Sequence, residues 1–598
     1  MDPLGSEDNL ITEQLTTTPT IPIAKSSNPR YFLYGGQTVA LVGLSGETVP
    51  HIGSNMVHFY EWCHYDYFFD NSQRKYQHCI DQLQQAGLNT MRLWVAFDFL
   101  QDPFDHAQPF LPDACGTGKW DLNTQDPEYF RRIKEVVQYA QDRGIIVEVT
   151  IFVPPTGGAD PATGPWANGK NCQNLYFRTP GTTTENAGYF YQADNPNANP
   201  FNTTVLIDSD TNNKALRQIQ VNVMQWLVDA LASYNNVYYE LANEPDLAGL
   251  SSGFTTFDNL RVWHHYMARK LWEYEDLHYP TRHHLIAANL SVRSVVNSVA
   301  AETRSKIDII SSHYVKAVNA KPGVAELDRL AGIKLLHTLN TYTGGVPDAN
   351  NRKIWGMNET HITGITGNLS ATAISARDEA WHLMMNGGGL YDHYSYSWGN
   401  QNAVDNNAQS EAARAQLGYL ARFVNTLPLA SMRRSMPVAS TLWVSMPVAA
   451  YPPSTTSDLV GCDSSNYCWS AMEEPKTKVL YIHRSALSAS GGFRRFEPQT
   501  KSCSASCLAS CSATCQSNCY VESAATLSLK NLDTCSGSYS GEWYTPDGTY
   551  KDASGNLIPL PGRSFTFNWA PSQTYQLQTP QCYGHDIVLK VRRTSAPC

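Results

Sequence analysis

Apolar residues along this chain follow two successive patterns. From Tyr31 to about residue 425, short apolar runs alternate with stretches whose apolar positions recur at i, i+3, i+4 and i+7. The strand-like runs are HIGSNM (51–56), TMRLWVAF (90–97), IIVEVTIF (145–152), VYYELANE (237–244), LIAANL (285–290), IDIISSHY (307–314), IWGMNE (354–359) and LYDHYSYSW (390–398). Between them, QRKYQHCIDQLQQAG, YFRRIKEVVQYAQDRG and ALRQIQVNVMQWLVDALASY have helical period, with Gly87 and Gly144 where helix ends are expected. Eight apolar strands alternating with helices predict a (β/α)8 barrel, the TIM-barrel architecture, over 29–425. A doubly wound open sheet would want a glycine-rich phosphate loop after its first strand, and GSNM is not one. Ahead of the barrel, YFLYGGQTVALVG reads as a β-hairpin about Gly35-Gly36, and residues 1–28 as a flexible tail.

Past residue 425 the helical period stops. STLWVSM, TKVLYIHR, SGEWYTPDGTY, SFTFNW, TYQLQ and DIVLKVRR are short runs with turn signals, predicting an antiparallel β-sandwich over 430–598. It carries an insertion, CSASCLASCSATCQSNC (503–519), with a cysteine at every fourth position.

In such a barrel, reactive side chains project from the C-terminal ends of the strands. The fourth predicted strand ends in Asn243-Glu244-Pro245 and the seventh in Asn358-Glu359-Thr360. Two carboxyl groups facing each other across one rim suit glycosidic cleavage, in which one acid protonates the leaving oxygen and one carboxylate attacks. A separation of ~5–5.5 Å would make the reaction retaining. For either glutamate alone, a surface or capping role would be the simpler reading.

On these residues the chain resembles the clan A retaining glycoside hydrolases, which include family 5 cellulases and mannanases. The opening Asn28-Pro29-Arg30-Tyr31-Phe32 and its hairpin are similar to those of bacterial cellulase-like proteins bearing a C-terminal β domain. The resemblance implies Glu244 as acid/base, Glu359 as nucleophile, and Asn243 as the partner of the sugar 2-hydroxyl. It also implies Arg92 as the barrel cation that keeps the nucleophile ionised, although a structural ion pair would look the same in sequence. His313 and Tyr314 match a family pair usually spaced by one residue. Here they are adjacent, so one faces outward unless a bulge intervenes. His313 is the expected sugar contact and Tyr314 the partner of Glu359. Trp398 matches the aromatic floor beneath the sugar. Asn55, Trp166 and Trp62 are further candidates that read more readily as core. The long stretch from Val153 to about Asn213 is expected to wall the cleft.

Composition narrows the partners. Charged residues are 16% of 598, with 44 basic against 54 acidic. Without a basic run, neither nucleic acid nor an anionic membrane is expected, and no apolar stretch reaches the ~18 residues of a membrane span. The expected partner is a β-linked polysaccharide or oligosaccharide, with no cofactor and no metal; sequence does not give the oligomeric state. The 14 cysteines divide into four early ones (Cys63, Cys79, Cys115, Cys172) and ten after residue 460. Even numbers on both sides suit disulfides closed within each domain, hence a secreted, periplasmic or cell-surface protein, although Met1–Lys25 lacks the layout of a signal peptide. The cysteine ladder lacks the C-x2-C element and the histidines of a zinc or iron–sulfur site, and is expected to be disulfide-stapled to neighbours such as Cys462, Cys468, Cys535, Cys582 and Cys598. The alternative function is a non-catalytic carbohydrate-binding or extracellular structural protein built on a glycosidase-like barrel. Asn-x-Ser/Thr triplets occur at Asn202, Asn289, Asn358 and Asn368.

Overall fold

The computed structural model describes residues 21–45, 69–70, 73–96, 109–112, 120–152, 177–178, 185–186, 211–243, 245, 257–290, 305–312, 353–360, 369–393, 408–435, 443–445, 461–462, 467–484, 486–490, 493–497, 506–507, 520–521, 526–580, 582–583 and 585–596. Eight parallel strands close into a barrel: β1 (Leu41–Ser45), β2 (Thr90–Ala96), β3 (Ile146–Phe152), β4 (Val237–Ala242), β5 (Ile286–Leu290), β6 (Ile309–Ser312), β7 (Ile354–Thr360) and β8 (Leu390–His393). β8 pairs with β1 and so closes the ring.

The first strand differs from expectation. HIGSNM (51–56) lies outside the described residues, and the barrel's first strand is instead LVGLS at 41–45. The expected hairpin is present, with Phe32–Tyr34 paired to Gln37–Val39. Gly35 and Gly36 have φ of 57° and 79°, the left-handed pair that a two-residue hairpin turn requires. Its second strand runs through Ala40 directly into β1, so the sequence reading merged hairpin and barrel strand. The tail expectation also changes at its end. Ala24–Lys25 pairs with the hairpin, Ile23 is buried, and the Ile23 amide donates to the Asn235 carbonyl at 2.8 Å.

Alternation sorts the strand residues. Val147, Val149, Tyr239, Leu241, Ile310 and Tyr391 pack outward against the helices. At the N-terminal end of the barrel, Leu41, Ile146, Tyr238, Ile309, Ile354 and Leu390 form an apolar plug capped by Phe32 and Tyr34 of the hairpin. Above that plug the buried positions turn polar. Helices among the described residues include α1 (Lys75–Ala86), α2 (Pro127–Gln141), α3 (Thr211–Leu231), α4 (Phe257–His278), α5 (Leu369–Met385) and α6 (Ala408–Asn425). Asp126 caps α2 by accepting from the Glu128 amide at 2.9 Å, with Pro127 in the first turn. Gly87 and Gly144 follow α1 and α2 with φ of 84° and 69°, in line with their reading as helix ends. No helix among the described residues is long and apolar enough to cross a membrane.

The C-terminal region is a sandwich. Its main sheet contains β9 (Tyr467–Glu473), β10 (Thr477–Arg484), β11 (Gly537–Tyr544), β12 (Phe565–Trp569) and β13 (Asp586–Arg593), with β13 between β10 and β11. A smaller sheet of Val444–Ser445, Thr526–Leu529 and Tyr575–Gln578 covers one face, sharing a core of Trp443, Leu480, Ile482, Leu529, Trp543 and Leu589. The opposite face, through Met472, Val479, Tyr481 and Val588, joins the core of the barrel helices, including Trp381 and Phe423. Burial on both faces explains why VLYI in β10 is apolar without interruption.

Candidate active site

The buried polar layer above the plug is built from strand positions that face the barrel axis. Arg92 (β2), Glu148 and Thr150 (β3), Glu240 (β4), Asn289 (β5), Asn358 (β7) and Asp392 (β8) are all buried. Asn243, just past β4, is fully buried as well. Space for this layer comes partly from Gly43 in β1. A Cβ there would lie 2.1 Å from the Thr90 carbonyl oxygen and 2.7 Å from Asp392 Oδ1.

Arg92 organises the group. Its Nη2 donates to Glu240 Oε1 and, at 2.9 Å, to Asn243 Oδ1, while its Nε lies 4.0 Å from Glu148 Oε2. Glu240 Oε1 also accepts from Thr150 Oγ1 at 3.0 Å, and Glu240 Oε2 from Asn358 Nδ2 at 2.7 Å. The Asn358 amide nitrogen lies 3.2 Å from each oxygen of Glu148, and its own oxygen accepts from Asn289 Nδ2 at 2.7 Å. Two acids, Glu240 and Glu148, therefore flank one guanidinium. Burial, followed by repulsion from Glu240, pushes the Glu148 carboxyl well above the usual range despite the opposing Arg92 charge. Its protonated form is accordingly favoured over that of a free carboxyl.

Asn243 sits where this network reaches the strand ends. Because Arg92 donates to its oxygen, the amide orientation is set, and Nδ2 is the atom left over. That nitrogen is buried and has no hydrogen-bond partner among the described residues. A buried donor without a partner costs about 1–3 kcal/mol, so its retention at a strand end points to an acceptor brought by a ligand or by a neighbouring group.

Of the residues singled out in sequence, the structure joins Arg92 and Asn243 directly. Glu359 lies in β7, where the ladder to β8 shifts register between Met357 and Thr360, and its backbone alone is described. Glu244, His313, Tyr314, Trp398, Asn55, Trp166 and Trp62 lie outside the described residues. So does the cysteine ladder, apart from residues 506–507. Sequence reasoning missed Glu148, Glu240 and Asp392. The available signal was an acid inside an otherwise apolar run, as in IVEVTIF and VYYELA, at the same height in the barrel as Arg92. The triplets at Asn289 and Asn358 have their side chains bonded to each other inside the barrel, which removes both from reach of modification in the folded protein.

The comparisons agree with this architecture. Residues 45–272 match the family model described as Cellulase (glycosyl hydrolase family 5). The resemblance to clan A glycoside hydrolases drawn from the motifs therefore stands, and the match supports glycosidase activity of a general kind. A family 5 glycoside hydrolase from Bacteroides vulgatus ATCC 8482 aligns at TM-score 0.51 and 10% identity, covering 98% of this chain and 96% of that one. A family 5 mannosidase from Rhizomucor miehei aligns at TM-score 0.45 and 10% identity, covering 68% of this chain and 99% of that one. At such identity the first of these speaks for the shared fold alone. No curated protein matches the chain.

Proposed function

We propose that this barrel, which carries the family 5 match, is a retaining glycoside hydrolase acting on a β-linked polysaccharide or oligosaccharide. Glu359 attacks the anomeric carbon while Glu244 protonates the departing oxygen; water activated by Glu244 then releases the sugar. The observation that carries the reading is the orphan Asn243 Nδ2, held by Arg92 next to Glu244 in the chain and oriented to donate. A donor at that position suits the sugar 2-hydroxyl, whose contact strengthens in the transition state.

Arg92 has two tasks in this scheme. It fixes the Asn243 amide, and its charge favours the ionised form of a nucleophile close by. Glu240 and Glu148 support the guanidinium. Two imidazole and aromatic contacts to the sugar, His313 and Trp398, and the Tyr314 partner of Glu359 complete the assignment, with Asn55 and Trp166 lining the cleft. The catalytic steps route no chemistry through a metal or cofactor.

Export to an oxidising compartment completes the proposal. Cys507 of the ladder and Cys535 are each disulfide-bonded, which favours it.

The test is a panel of β-linked polysaccharides and aryl β-glycosides, with wild type, Glu244→Gln and Glu359→Ala assayed together for released reducing ends. Activity on one substrate class that falls by at least ~10³-fold in both variants is the expected outcome. Wild-type turnover by either variant on a responsive substrate refutes its assignment.

A further inference from the structure

We infer that the seam between barrel and sandwich holds a transition-metal site, ligated by Asp378, His483 and His585. Asp378 lies in α5 on the outside of the barrel, His483 near the end of β10, and His585 immediately before β13. The ligand atoms of these three residues all lie within 4.8 Å of one another. Both imidazoles are buried, and the Asp378 carboxylate is 17% exposed. None of the three belongs to the catalytic proposal, and the inference does not rest on it.

The strand period brings the group together. Val479, Tyr481 and His483 alternate onto the face of β10 that meets α5, while Leu480 and Ile482 enter the sandwich core. Asp586 pairs with His483 across the ladder, so His585 arrives alongside. Asp378 Oδ2 then stands 2.6 Å from His585 Nε2 and 3.6 Å from His483 Nδ1. Ligand atoms sharing a tetrahedral ion at bonds of ~2.0–2.1 Å lie ~3.3 Å apart. The His483 contact is already near that spacing, and the His585 contact opens by less than ~1 Å as the ion replaces the hydrogen bond.

Surrounding contacts prepare the carboxylate. The Tyr481 hydroxyl lies 2.6 Å from Asp378 Oδ1, which turns Oδ2 toward the imidazoles. The nearby guanidinium of Arg377 is committed to Asp586 through two bonds of 2.7 and 2.9 Å. A third imidazole, His382, packs 4.8 Å from the His483 ring. His382 contacts Ser470 Oγ through Nδ1 at 2.6 Å, and its buried Nε2 has no partner among the described residues. An apolar side chain in place of His382 would strand no nitrogen there. Two imidazoles and one carboxylate select a borderline ion such as Zn2+ over Ca2+ or Mg2+. Because the ligands come from both domains, the ion acts as a clasp between them.

The test uses the full chain, stripped with chelator, loaded with ZnCl2 and desalted. Metal content is read by elemental analysis and affinity by calorimetric titration with Zn2+ alone. Wild type is expected to retain ~1 zinc per chain and Asp378→Asn, which keeps the side-chain shape, ~0. Tyr481→Phe, which keeps the ring and removes the oxygen that orients Asp378, weakens Zn2+ binding ~10–100-fold. Cobalt loading of wild type gives the visible absorption of a low-coordinate site, absent from Asp378→Asn. Circular dichroism of each variant separates loss of metal from loss of fold. Wild type without bound zinc, or folded variants that bind zinc as wild type does, overturns the proposal.

Discussion

Replacing Arg92 with methionine probes the logic of the barrel's polar layer. Arg92 and Glu240 are both fully buried, and Glu240 accepts from Arg92, Thr150 and Asn358. Methionine fills a similar volume but leaves the Glu240 carboxylate without its cation, next to a second acid in Glu148. Removing one partner of a buried pair costs about 3–5 kcal/mol, a hundredfold or more in the unfolding equilibrium. The double variant Arg92→Met with Glu240→Gln regains most of this. The carbonyl of the introduced amide can still accept from Asn358, and its NH2 can donate to Thr150, so no charge remains there. Urea unfolding followed by tryptophan fluorescence gives both values, and the cycle isolates the charge term. A single variant within about 1 kcal/mol of wild type would show that Glu240 needs no cation. A double variant as unstable as the single would show that shape rather than charge carries the loss. Either result refutes the reasoning.

Two further outcomes follow from the same layer. Burial and Glu240 make Glu148 hold its proton more tightly in the folded state than in the unfolded chain, which releases it near pH ~4.3, so stability from this residue falls as pH rises above that value. Glu148→Gln is expected to flatten the decline, measured as the difference in unfolding free energy between about pH 5 and pH 8. Gly43→Ala pushes a methyl group against the Thr90 carbonyl and Asp392, costing about 1–3 kcal/mol by thermal or chemical unfolding.

The barrel was legible because its strands are buried on both sides and its helices keep a strong period. Runs such as IIVEVTIF and VYYELANE therefore stood out at close to their observed limits. The first strand was not. LVGLS follows the hairpin after one residue, and its glycine, required by Thr90 and Asp392 on the two neighbouring strands, weakens the apolar signal. A strand end pointed to Asn243, because the chemistry of a barrel rim is a rule about position, whereas Arg92, third in its strand, came from the family resemblance. The supporting acids Glu148, Glu240 and Asp392 went unread because their meaning depends on height along the axis, which is fixed by shear between strands and not by sequence spacing. The histidine group at the seam was invisible for a related reason: Asp378 and His585 are 207 positions apart, and only the docking of α5 on β10 and β13 unites them.

That docking bears on how the chain comes apart. β10 has one face in the sandwich core and the other against Trp381, whose ring stacks on Tyr481 at 5.4 Å. The main sheet thus serves two interiors at once, and neither neighbour can be removed without wetting the other. Asn28 adds a tie by donating to the carbonyls of Leu429 and Met432, at 2.8 Å each, so the chain's opening grips the passage between the two regions. Barrel and sandwich should melt in a single transition, and cutting the chain near residue 430 would yield two aggregating halves in place of an enzyme and a detachable appendage.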